Sequence, residues 1–138
     1  MSKPFSAFEK DMKALGVLFE ANANRIVVDA AAQAGKFIAD SNPIDTGLSS
    51  GNWEGSIGSP AREEQQRFYP TASKSAMNFL RGRTKRSGQS VFVSNPVPYV
   101  RSLNLFGTSP QANPFWVERG AERGIRFVLK NAKVIRKL

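Results

Sequence analysis

The chain has 138 residues, a net charge of +9, and neither cysteine nor histidine. Those absences exclude disulfides, thiolate nucleophiles, Cys/His zinc sites and every histidine-based triad, so the balance tips towards a binding or structural role. A hydrophobic fraction of 41% suits a single domain, 1–138, and no apolar run nears the ~18 residues of a membrane-spanning helix.

The elements follow in chain order. Phe5, Phe8, Met12, Leu15, Phe19, Ile26, Ala30, Ala34 and Phe37 recur at helical spacing. They predict one long helix over about 5–40, stopped by Asn42-Pro43. Its stripe is interrupted at Asn22. Such a helix is far longer than the ~14 Å radius of gyration of a domain this size. It therefore bends near Gly16 or Asn22–Asn24, breaks into a helix pair, or overhangs and packs on a neighbouring subunit. Glu9, Lys10, Asp11 and Lys13 stand where a secretory signal would be apolar, so the expected place of synthesis is a cytoplasm and the expected state soluble.

Trp53, Gly55 and Ile57 alternate with polar residues, the pattern of a half-buried strand. Thr71 is a candidate cap for a helix to about Leu80, with Ala72, Ala76, Phe79 and Leu80 inward. A basic loop over 81–89 leads to a strand over 90–94. Residues 95–107 carry two prolines and promise at best a helical turn, or a further strand. Asn113-Pro114 opens the last helix, with Val117, Ala121, Ile125, Val128, Ala132 and Ile135 on one face. Arg119, Arg123, Arg126, Lys130, Lys133 and Lys137 lie on the other. The order predicts an α+β fold: a long N-terminal helix, a small, mostly antiparallel sheet, and a C-terminal helix packed on the sheet.

Charge is divided unevenly. Residues 1–70 hold 7 basic and 9 acidic side chains, and residues 71–138 hold 13 and 2. A basic half suits a polyanion or an acidic protein surface. Arg81, Arg83, Lys85 and Arg86 are candidate contacts for DNA phosphates or an acidic partner, without sequence readout. No aromatic residue lies among them, which argues against stacking on single strands.

The triplet Asp45-Thr46-Gly47 raises the possibility of an aspartic protease. That chemistry needs a rigid, partly dry carboxylate facing its twin. Here the triplet follows a helix end, GKFIADSNPI, where the protease fold has an apolar strand. The same residues suit a turn: Asp45 and Thr46 as partners for backbone amides, Gly47 at positive φ, and Trp53 as the buried anchor of the next strand. Trp116 and Tyr99 also read as core anchors.

The stretch PIDTGLSSGNWEGSIGSP resembles the neck and tail-completion proteins of long-tailed double-stranded DNA bacteriophages. The matching residues are Pro43, Asp45, Thr46, Gly47, Asn52, Trp53, Ser56, Ile57 and Gly58. Further matches follow in order: Val91, Phe92, Val93 and Asn95, then Val97-Pro98-Tyr99, Leu103-Asn104, Gln111-Ala112, and Phe115 with Val117. The likeness runs to about Ala121; the basic loop at 81–88 and the basic end after Arg123 are departures from it. It implies a non-catalytic virion protein at the head–tail junction, with no cofactor, no membrane and no small-molecule substrate. It also implies a homo-oligomeric ring, adjacent neck and tail proteins as partners, and double-stranded DNA in the lumen. A tail-terminator ring is the nearest alternative, and a nonspecific DNA-binding protein outside the virion is a further one.

Overall fold

A computed structural model describes residues 3–81 and 83–132, with side chains from Ser6 onward. Phe5 as a side chain, Ile135, Lys133 and Lys137 thus lie outside the described residues. The first helix, α1 (Lys3–Ser41), runs unbroken for 39 residues. The readings in which it breaks into a pair are thereby corrected. At 1.5 Å per residue it spans about 58 Å, and only its second half is covered. Buried side chains begin at Asn22, while Phe8, Met12, Val17 and Phe19 are all exposed.

After α1 come a one-turn helix α2 (Leu48–Gly51), strand β1 (Glu54–Ile57), helix α3 (Tyr69–Arg81), strand β2 (Val91–Ser94), helix α4 (Val100–Phe106) and helix α5 (Trp116–Asn131). β1 and β2 form an antiparallel ribbon in which Glu54 faces Ser94 and Ile57 faces Val91. The predicted α+β class holds. Residues 95–107 supply α4 and no third strand.

α1 is buried on two flanks because it lies between α3 and α5. On one side Val28 and Ala32 meet Leu80 of α3. On the other, α5 lies on α1, not on the sheet as the sequence predicts. The cause is a small-residue face. Trp116, Gly120 and Gly124 are the buried residues of α5. A Cβ on Gly120 would stand 3.0 Å from the Ile38 Cα, and one on Gly124 would collide with the Ala34 backbone. Bare glycines let the two helices approach through their main chains. Ile125, expected inward, is 43% exposed.

α3 is also rotated relative to the sequence reading. Ser73, Met77 and Leu80 are its buried residues, and Phe79 is 75% exposed. Ser73 turns inward because its hydroxyl accepts from the Trp53 N–H at 2.9 Å and donates to the Ser50 carbonyl at 2.7 Å. The main core gathers Ile38, Ala39, Trp53, Met77, Val97, Val100 and Trp116. Trp53 and Trp116 meet edge to face, with centroids 6.1 Å apart.

Candidate interaction surface

The loop between α1 and β1 is held from beneath by buried polar side chains. Asn42 ends α1, donates to Pro43 O and Ser49 Oγ at 2.8 Å each, and accepts the Trp53 indole N–H at 2.9 Å. Gly47 has φ +87, and a Cβ there would stand 2.8 Å from the Tyr69 ring. The Gly47 carbonyl accepts from the Tyr69 N–H at 2.7 Å, from Gly51 N and from the Ser50 hydroxyl. Tyr69 itself sits at φ 70, a conformation uncommon for a bulky residue that this bond helps to hold.

Asn52 is 1% exposed. Its amide donates to Leu48 O and Gln65 O and accepts from Gln65 N at 2.7 Å. It therefore staples residues 61–68 against α2. Asn95 reaches across from β2, donating to Ser49 O at 2.6 Å and accepting from Val97 N. Buried polar groups need such partners, and a satisfied network fixes one loop shape.

The later matching residues serve the same assembly. Gln111 clasps Ile44 as a strand neighbour would, accepting from its N–H at 2.8 Å and donating to its carbonyl at 2.7 Å. Asn104 caps α5 by accepting from Val117 N at 2.8 Å, and its amide also donates to the Glu118 carboxylate. The Asn104 carbonyl accepts from Phe115 N, and Trp116 Nε1 donates to Leu103 O.

Above this network lies a groove of about 540 Å³, whose walls include Ile44, Asp45, Leu48, Tyr99, Leu103 and Gln111. Asp45 and Thr46 are exposed at its lip. Thr46 Oγ1 accepts weakly from Leu48 N at 3.3 Å. Asp45, predicted to bond a backbone amide, makes no hydrogen bond to the described residues and has an outward setting, unlike a partly dry dyad carboxylate. Pro98 is exposed. Tyr99 is a correction: 46% exposed, it forms a wall of the groove rather than a core anchor, because α4 turns Val100 and Asn104 inward instead. Trp53 and Trp116 are buried as expected.

Of the four basic candidates, Arg81, Arg83 and Lys85 line three different clefts, and Arg86 is exposed, its N–H donating to Gln89 Oε1 at 2.8 Å. Arg81 lines a cleft with Asn22, Arg25 and Asp29. Lys85 lies beside Val17, Glu20 and Arg25. Arg83 stands at a different groove, between α3 and β1. Their loop is pinned to α1, since Ser87 bonds Glu20 and accepts from Asn24 Nδ2 at 3.2 Å. Burial, then repulsion from Arg81 and Lys74, holds the Lys36 ammonium below its ordinary pKa. Along α5, Arg123 lies over the Phe37 ring at 4.8 Å and Arg126 pairs with Glu122 at 2.5 Å.

Sequence reading missed Ser49, Ser50, Ser73 and Asn42, whose roles depend on distant partners. It also missed Gly120 and Gly124, for which glycines four residues apart on a helix are the available signal. Among the described residues no cluster of His, Cys, Asp or Glu could hold a metal ion, and no helix is long and apolar enough to cross a membrane. Comparison with protein-family models, curated proteins and solved structures returns no match.

Proposed function

We propose that this chain is a non-catalytic component of a tailed phage's head–tail junction. Copies form a ring around the DNA channel that completes the tail and joins it to the head. One observation carries the reading. The residues of the resemblance, scattered from Pro43 to Val117, converge on one assembly. Trp53, Asn95 and Gln111 hydrogen-bond residues of the α1–β1 loop, Asn52 ties that loop to Gln65, and Asn104 holds the start of α5. A pattern spread over 75 residues that folds into one neighbourhood is what a shared architecture requires.

Two further features favour assembly over catalysis. The exposed half of α1 presents Phe8, Met12 and Phe19 to solvent, more apolar surface than an isolated small protein usually displays. The basic second half of the chain suits DNA or an acidic neighbouring ring.

The test is a nonsense codon early in the gene of the encoding phage, with the lysate imaged by negative-stain electron microscopy. Filled heads and separate, unattached tails are the expected result. Abnormally long tails would reassign the chain as a tail terminator. Intact, infectious particles would overturn the reading.

A further inference from the structure

Two helical faces of this chain carry the apolar pattern of a buried surface, and neither is covered. The first is on the projecting arm of α1, residues 6–19. Phe8, Met12, Leu15 and Phe19 are spaced four, three and four residues apart, the seam of a helix that packs on another element. Phe8 is 63% exposed, Met12 51% and Phe19 48%. The second is on α3. Ala72, Ser75, Ala76 and Phe79 follow the i, i+3, i+4, i+7 pattern. With Ile57 they line a groove of about 780 Å³ between α3 and β1.

We infer that the α1 arm of one copy lies in the α3–β1 groove of the next, a head-to-tail contact that links the copies of the ring. The inference rests on the ring reading above and assigns its subunit contact. Three observations select a second copy as the occupant.

The first is length. The seam from Phe8 to Phe19 spans about 17 Å, and the α3 stretch that lines the groove, Ala72 to Leu80, about 12 Å, so the groove takes about two turns of the arm. The second is charge. Glu9 and Asp11 flank the seam on either side, at positions that set partner choice in helix pairs. Arg67 and Arg83 line the groove. Arg67 has buried Nε and Nη2 atoms without a hydrogen-bond acceptor, and its nearest carboxylate, Glu54, is 3.7 Å away. Those Arg67 atoms face inward, so the exposed Arg83 is the cation that an incoming Glu9 or Asp11 carboxylate meets.

The third is connectivity. α1 is continuous, so the arm extends along the helix axis. α3 turns Ser73, Met77 and Leu80 towards its own chain and Phe79 away. The two faces therefore meet only between copies. Small groove residues (Gly55, Ala72, Ala76) permit close approach of a helix carrying large side chains. About half exposed, four such side chains offer on the order of 400 Å² from the arm, so the two faces together bury under about 1,000 Å², small for a specific interface. One contact alone is weak, and closure of a ring multiplies it.

The absence of cysteine gives a clean test. A Met12→Cys chain is mixed at high concentration with an Ala76→Cys chain and oxidised mildly, and the disulfide-linked product is measured on a non-reducing gel. The expected 12–76 heterodimer exceeds, by at least about tenfold, the product of Met12→Cys with Ser102→Cys, an exposed control on α4. Adding Asp11→Arg lowers the yield, and Arg83→Glu on the other chain restores it. A 12–76 yield no higher than the control, or a dominant 12–12 product showing arm paired with arm, would overturn the inference. The electron-microscopy phenotype separates the two claims. Unattached tails without a 12–76 bond would reject this contact alone, whereas the bond in a protein dispensable for infectious particles would reject the neck reading alone.

Discussion

Replacing Gly124 by alanine asks whether the α1–α5 contact is as close as it appears. The new methyl would meet the Cα and N atoms of Ala34 and the carbonyl carbon of Gln33. These are backbone atoms within a helix, so no rotamer change relieves the clash and the helices must separate. Overpacking costs typically about 1–3 kcal/mol, and the rigid obstacle places this site at the upper end. Alanine returns about 0.5–1 kcal/mol of helix propensity. The net is a loss of about 2 kcal/mol, or a fall of roughly 6–8 °C in Tm for a domain of this size. Thermal unfolding followed by far-UV circular dichroism measures it. Two companions calibrate the result. At Gly120 the Ile38 contacts begin at 3.0 Å, so Gly120→Ala should fall between Gly124→Ala and wild type. At Gly16 nothing lies within 4 Å, so Gly16→Ala should raise helicity without lowering Tm. A Gly124→Ala protein that melts at or above wild type would refute the close packing.

Trp53→Ala removes a 5%-exposed indole and leaves Asn42 Oδ1 without its donor, so urea denaturation should show a loss of about 3–5 kcal/mol; a near-wild-type midpoint would contradict its place in the core. Neutralising Arg81, Arg83, Lys85 and Arg86 together should flatten the salt dependence of any binding to double-stranded DNA, measured by fluorescence anisotropy. An unchanged slope would remove them as phosphate contacts. Lys36 carries a pH prediction. Its folded pKa lies below the ordinary lysine value of 10.5, so the folded state releases this proton first and the unfolded state binds more protons in that window. Stability attributable to Lys36 therefore rises as pH approaches 10.5 from below. Lys36→Met should raise Tm at neutral pH and lose that advantage in alkaline buffer; a variant less stable than wild type at neutral pH would count against the repulsion from Arg81 and Lys74.

Much of the fold was legible because hydropathy carries it. The long helix, both strands, α3, α5 and the buried Trp53 all announce themselves by period or by size. What escaped was determined by contacts across the chain. Glycine has no hydropathy signal, so the inward stripe of α5 read as Val117-Ala121-Ile125; Val117 and Ala121 do pack against the core, but the buried line is Trp116-Gly120-Gly124 and Ile125 faces out. Serine reads as surface, yet Ser73 is fully buried because two backbone groups meet it. Phe79 read as core because apolar spacing does not show which side of α3 meets the rest of the chain, and Phe79 is on the side that does not. Of the candidate site, the positions Gly47, Asn52, Trp53 and Asn95 were visible as a pattern. Their work was not, since Asn52 acts on Gln65 and Asn95 on Ser49, partners no local spacing reveals. Tyr99 was misplaced for the same reason: which way α4 faces depends on Asn104 capping a helix that begins twelve residues later.

The polar frame under the α1–β1 loop has a consequence for how this surface can change. The shape of the loop is set mostly by buried side chains, Asn42, Ser49 and Asn52 among them, while those at 45, 46 and 99 hold little in place. Substitutions at these outward positions should therefore change the chemistry of the surface while the geometry beneath stays constant, and an engineer could exploit that separation by randomising these positions alone.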